Sequence, residues 1–138
     1  MNTDIQKLSL RYAEAWAAHD LEAIMALHSA DTVLHIHGGG VPATGQTATR
    51  EALAAIFAQW PDVTFDRRRV HFSETHFVNE YELSGTADGE RFACDGVDVI
   101  CVVDGLVTRK DTYLDWPELQ RQLGGTPTPA GTVTVVGS

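Results

Sequence analysis

Cysteine is scarce in this chain, and the two that occur cannot pair with each other. Cys94 and Cys101 lie seven positions apart in one apolar, strand-like stretch, roughly 23 Å at strand rise, too far for a disulfide. No CxxC pattern is present, so neither a dithiol redox centre nor a cysteine-ligated zinc is expected. Long apolar runs are also missing, which argues against a membrane span. The N-terminal Met1-Asn2-Thr3-Asp4 does not have the basic-then-apolar form of a signal peptide, so the expectation is a cytoplasmic protein. Positive charge is short: ten Lys and Arg stand against nineteen Asp and Glu, a net charge of -9. Nucleic acid and anionic membrane both need a basic face and are poor partners for such a chain. Its one basic cluster, Arg67-Arg68-Arg69, reads as a solvated or subunit-facing strand. There is no phosphate-binding glycine loop, no nucleophile elbow, no Cys/His pairing of the nucleophilic kind and no internal repeat.

What the chain does have is enough material for one core. Its 138 residues are 43% hydrophobic and 21% charged, the profile of one globular domain. Residues 1–123 are expected to form that domain. Residues 124–138, rich in Thr, Pro and Gly and ending Thr132-Val133-Thr134-Val135-Val136, read as a tail that could add an edge strand.

The order of elements predicts an α+β fold. Thr3 with Gln6 makes a capping box, and Ile5, Leu8, Tyr12, Ala15 and Trp16 share one helical face to about Ala18. Asp20 can cap a short second helix carrying Leu21, Ile24, Met25 and His28. Thr32 to His37 alternates as a strand, and glycines 38–40 with Pro42 form a loop. Thr47 or Thr49 opens a third helix that Pro61 ends, with Leu53, Ile56, Phe57 and Trp60 on its apolar side. Beyond Val63 the chain reads as four antiparallel strands. Asp88-Gly89 and Asp104-Gly105 are hairpin signals, and a parity slip among the arginines suggests a bulge. Pro117 starts a last short helix, closed by Gly124-Gly125. Helices segregated from a meander argue for helices covering one face of a curved sheet, which leaves a pocket.

Asp98 is the residue most out of place. It sits inside Gly96-Val97-Asp98-Val99-Ile100-Cys101-Val102-Val103, a run that reads as a strand buried on both faces. A carboxylate there needs a partner or holds its proton, and a neutral acid can serve as a catalytic hydrogen-bond donor. The alternative is a structural bond to backbone or to a buried tyrosine. His35 and His37 share one strand face, opposite Leu34 and Ile36. Three readings stand for them: exposed polar residues, a general base at His35, or two metal ligands completed by His71 or Asp98. Tyr12 is a core aromatic or, beside Asp98, part of an oxyanion hole. Trp16, Phe57, Trp60, Phe72 and Phe77 are core residues of which one or two line a pocket, and Ile100 lies beside Asp98. Asp111 and Asp115 fall on one face of the last strand.

Taken together, several stretches carry a resemblance. They are Arg11-Tyr12 followed by Ala18-His19-Asp20-Leu21-Glu22-Ala23-Ile24; Asp31-Thr32-Val33 before the glycine loop; Thr49-Arg50-Glu51-Ala52-Leu53; and Gly96-Val97-Asp98 with Asp104-Gly105 and Tyr113-Leu114-Asp115. Over about residues 3–120 the chain resembles the nuclear-transport-factor-2-like superfamily, in its SnoaL-like polyketide-cyclase and ketosteroid-isomerase branches. The resemblance implies a cone-shaped curved sheet whose helices enclose an apolar cavity, a homodimer formed through the sheet, and cofactor-free acid–base chemistry on a small apolar carbonyl or polycyclic compound: isomerisation, cyclisation or dehydration. It places Tyr12 at the isomerase's oxyanion tyrosine and Asp98 at its protonated aspartate, the acid that general accounts of tuned acidity use as an example. It places His35 where that enzyme has its carboxylate base, with His37 as an orienting or second acid–base group. Substrate contacts would fall to Trp16, Phe57, Trp60, Phe72 and Ile100, with no metal. The epoxide-hydrolase branch needs an Asp-Arg-Asp triad, and Tyr81, Leu83 and Thr112 stand at those positions instead. Asp111 is one residue out of register with the acid of the cyclase branch, which on a strand means the opposite face. Three other readings remain: a non-catalytic binding or dimerisation module, a use this fold also serves, an epoxide hydrolase-like enzyme, which those departures disfavour, and a His-ligated metal enzyme.

Overall fold

A computed structural model describes residues 3–124; the expected tail strand falls outside them. Helix α1 runs Thr3–Ala17, α2 Leu21–Ala26 and α3 Gln46–Gln59, and α4, Trp116–Leu123, closes the described chain. The strands are β1 His28–Ile36, β2 Ala43–Thr44, β3 Thr64–Phe72, β4 His76–Ala87, β5 Glu90–Val103 and β6 Leu106–Leu114. They form one six-stranded sheet in the order β2-β1-β6-β5-β4-β3. The expected four-strand meander is β3 to β6; β1 joins it parallel to β6 and carries the two-residue β2 at its edge.

Local chemistry sets the boundaries. Asp20 caps α2 by accepting from the Ala23 amide at 3.0 Å. His28, expected at the end of that helix, instead opens β1, because Leu27 already closes the helix. Asp115 caps α4, with Pro117 in its first turn and Gly124 in the left-handed conformation at its end. At the two hairpins Asp88 and Gly89, then Asp104 and Gly105, all take positive φ, as type I′ turns require. The β3–β4 register shifts between Arg67 and Arg69, the bulge suggested by the parity slip. A second shift separates Cys101 from Val102 in the β5–β6 ladder.

The three N-terminal helices pack on one face of the sheet, where Leu8, Ile24, Leu53, Trp60, Phe77 and Ile100 are fully enclosed. Strand β5 differs from expectation. Its residues alternate between buried and half-buried, so only the face bearing Gly96, Asp98 and Ile100 is fully enclosed. Cys94 and Cys101 are free thiols. No helix among the described residues is long and apolar enough to cross a membrane.

Candidate functional site

Between α1 and the sheet lies a cavity of about 160 Å3, with Tyr12 and Trp16 from α1, Phe65 and Arg67 from β3, Asn79 and Tyr81 from β4, Asp98 from β5 and Lys110 from β6 on its walls. A smaller apolar chamber adjoins it, lined by Leu34, Leu53, Ile56, Trp60 and Leu83, and the two share Trp16, Phe65, Tyr81, Asp98 and Lys110. Spacing explains the helical contribution: Tyr12 and Trp16, four apart, rise from one face of α1. The strand contribution follows from register. Asn79 and Thr112 flank Asp98 on the neighbouring strands, and Tyr81 pairs with Gly96.

Gly96 makes the arrangement possible. A Cβ at that position would stand 2.7 Å from Tyr81 Cε2 and 2.7 Å from Leu114 Cδ2. The Tyr81 ring therefore lies over bare backbone, and its hydroxyl donates to Asp98 Oδ1 at 2.9 Å. The other carboxylate oxygen, Oδ2, is 3.5 Å from Lys110 Nζ, and both side chains are about 95% buried. Asp98 was expected to meet its burial cost by holding a proton. Both of its oxygens face donors, and the Lys110 ammonium beside Oδ2 offsets the burial cost as an ion pair.

Lys110 was not anticipated, and it organises the site. Its ammonium stands 4.2 Å from the Trp16 ring centre and 5.1 Å from that of Tyr12, both cation–π distances. Burial works against the ammonium, but Tyr12 and Asp98 around its head outweigh that, and Lys110 titrates above the usual lysine value. Burial raises the Tyr81 phenol well above its ordinary range, and the Asp98 charge adds to this. Tyr12 is also raised by burial, with Lys110 pulling the other way. The Tyr12 hydroxyl is 2.9 Å from His28 Nε2, and His28 Nδ1 is 2.8 Å from Thr32 Oγ1. Burial, with Lys110 nearby, pushes His28 down to about 3, so this imidazole is neutral at physiological pH.

Two cavity groups have polar atoms without a hydrogen bond, Trp16 Nε1 and Asn79 Oδ1. One is a donor and the other an acceptor. Arg67 also turns inward, reaching Ser9 Oγ at 2.9 Å, while Arg68 pairs with Asp66 and Glu82, and Arg69 with Glu80. Only two members of the expected solvated cluster are thus on the outer surface.

The other residues singled out in the sequence are dispersed. Trp60 is enclosed and lines the inner chamber. Phe57 packs beneath Trp16 and His19. Phe72 sits beside Phe77, and neither it nor Ile100 lines either chamber. His35 and His37 lie on the opposite face of the sheet, because Leu34 and Ile36 take the inward positions of β1. Neither imidazole reaches the cavity. Asp111 is on that outer face too, as its register implied, while Asp115 is spent on capping α4.

Sequence comparison agrees with this architecture. The SnoaL-like domain family matches residues 10–110, about three quarters of the chain. The chain belongs to the SnoaL-like domain family. No curated protein matches it significantly in sequence. Solved structures share its fold at low identity. A ketosteroid isomerase-like protein of Catenulispora acidiphila DSM 44928, in complex with trimethylamine, is 20% identical with a TM-score of 0.76, over 85% of this chain and 92% of its own. A proposed SnoaL-like polyketide cyclase of Jannaschia sp. CCS1 is 17% identical with a TM-score of 0.81, over 91% and 94%. TerC, co-crystallised with polyporic acid, is 18% identical with a TM-score of 0.79, over 89% and 99%. The curved sheet and covering helices of this SnoaL-like chain are those of the nuclear-transport-factor-2-like cone.

Proposed function

We propose that this SnoaL-like protein is a cofactor-free acid–base enzyme that removes a proton next to the carbonyl of a small, largely apolar ring compound. The observation that carries the reading is the Asp98–Lys110 pair in the cavity wall, with Asp98 Oδ1 held by Tyr81. A carbonyl oxygen placed against Lys110 Nζ brings its α-carbon towards Asp98 Oδ2. The C–H bond breaks, the proton goes to Asp98, and the electron pair moves onto oxygen as an enolate beside the ammonium. Return of the proton to a different carbon gives isomerisation; attack by the enolate carbon on a second carbonyl gives cyclisation. A fixed ammonium in a dry site stabilises developing oxyanion charge far better than water does. The Trp16 N–H offers a second donor to an oxygen of the ligand, and Asn79 Oδ1 an acceptor for a hydroxyl.

The volume of about 160 Å3 suits one ring better than a steroid, since a cavity of roughly 150 Å3 holds benzene. That narrows the expected polycyclic ligand to a compound with one ring in the main cavity. The ligand-bearing relatives support a small-molecule role, one having been crystallised with trimethylamine and another with polyporic acid. His35, on the far face, gives up the role of base to Asp98 in this reading.

The test is α-proton exchange of cyclohexanone in deuterium oxide, followed by NMR. Native protein is expected to speed exchange over buffer. Asp98→Asn should lose that rate by on the order of a hundred- to ten-thousand-fold, and His35→Ala should keep it. If the ketone binds but exchange stays at the buffer rate, the chain is a binding module and the catalytic reading fails.

A further inference from the structure

We propose that His35, His37 and Asp111 form a site for a divalent transition-metal ion of the zinc class, on the sheet face away from the cavity. His35 on β1 and His37, one residue beyond the strand's end, are two apart and project to the same side, and the parallel β1–β6 ladder sets Asp111 directly opposite His35. One ligand atom from each lies within 4.8 Å of the others. Asp111 Oδ1 is 2.8 Å from His37 Nε2 and 4.0 Å from His35 Nδ1. The ligand atoms of a tetrahedral ion with bonds of ~2.0 Å lie about 3.3 Å apart, so small side-chain rotations close the set. Two imidazoles and one carboxylate suit zinc, cobalt, nickel or copper, and leave further coordination positions open.

The tautomer of His35 strengthens the argument. Its Nε2 is 3.3 Å from the Gly40 carbonyl, which can only accept, so Nε2 carries a hydrogen. In the neutral ring Nδ1 then presents a lone pair towards a carboxylate oxygen, two acceptors facing each other. A cation between them resolves the conflict. A carbonyl partner on the far nitrogen is also how metal-binding histidines are commonly oriented. His37 is held just as firmly. Its amide donates to the Thr112 carbonyl at 2.9 Å, its carbonyl accepts from Trp116 Nε1 at 2.5 Å, and its ring stacks on Tyr113 with centres 4.1 Å apart. Arg109 Nε grips Asp111 Oδ2 at 2.8 Å, and Nη2 reaches Oδ1 at 3.1 Å. Metal entry keeps the first of these contacts and displaces the second, along with the His37 proton. The alternative third ligands are elsewhere: His71 is bonded to Glu80 at 2.5 Å, and Asp98 is on the inner face.

The test uses tag-free, chelator-treated full-length protein titrated with zinc by calorimetry and with cobalt by visible absorption. One saturable site with a cobalt d–d band is expected. His35→Ala, His37→Ala and Asp111→Asn should each weaken zinc by more than about tenfold, with unchanged circular dichroism. His71→Ala and Cys101→Ser should bind as native. Absence of saturable binding would overturn the proposal, as would affinity unchanged in the three ligand variants or lost in His71→Ala.

Discussion

Lys110 Nζ stands 3.5 Å from Asp98 Oδ2 across adjacent strands, with both groups withdrawn from solvent. Each offsets part of the other's burial cost, so removing one strands a charge. Lys110→Met is expected to destabilise the fold by about 3–5 kcal/mol, whereas Asp98→Asn/Lys110→Met together should regain much of that loss. Urea unfolding of the two single variants and the double variant measures this directly.

The Tyr81 hydroxyl supplies the second partner of Asp98. Tyr81→Phe keeps the ring and removes the donor, leaving one carboxylate oxygen unsatisfied. A loss of about 1–3 kcal/mol is expected, together with weaker cyclohexanone binding. Unchanged stability would mean that water replaces the hydroxyl freely.

Gly96 holds the space that Tyr81 fills. Its backbone is ordinary strand, so Gly96→Ala would act by crowding. The added methyl must push the Tyr81 ring or Leu114, and both are packed. Destabilisation of about 1–3 kcal/mol is expected, with ligand binding lost alongside it. Thermal unfolding and calorimetric titration of the variant check both effects.

His28 gives the fold a pH signature. Its folded-state value lies near 3, below the unfolded value of about 6.5. Between these two the unfolded chain binds more protons than the folded one, so stability rises with pH across that window and is lost as pH falls through it. Native protein should therefore lose stability from about pH 6.5 downward, by about 5 kcal/mol at the limit. His28→Gln keeps polar contacts with Tyr12 and Thr32 and should flatten the slope between pH 6.5 and 4.5. The carboxylates whose acidity is raised, Asp111 and Glu118 among them, act below that range. Urea unfolding at a series of pH values separates the two contributions.

Helices, hairpins and the bulge were readable because each has a local cause. Asp20 and Asp115 are caps, Asp-Gly pairs demand positive φ, and the parity of Val63 and Phe65 against Val70 and Phe72 betrays an extra residue between them. The exceptional character of Asp98 was readable as a polar group in an apolar run, and so was the shared face of His35 and His37. Lys110 was not. It shares strand parity with Leu106, Thr108 and Thr112, a mixture that reads as solvent-facing. The register shift after Cys101 breaks simple alternation, so Val107 and Lys110, three apart, are both enclosed. Which side of β1 meets the cavity was equally hidden, since it depends on the parallel pairing with β6, and no local pattern encodes a partner as distant in sequence as Asp111 is from His35. Asp111 joined the histidines for the same reason.

The most direct measurement is the absorbance of nitrophenols of graded acidity bound to native protein and to Lys110→Met. A phenol that passes its proton to Asp98 beside Lys110 copies the enolate state. The account predicts that native protein binds these compounds with the phenolate spectrum, the more acidic ones more tightly, and that Lys110→Met loses both the spectrum and the preference. Binding only as neutral phenol, or identical spectra in the two proteins, would contradict it.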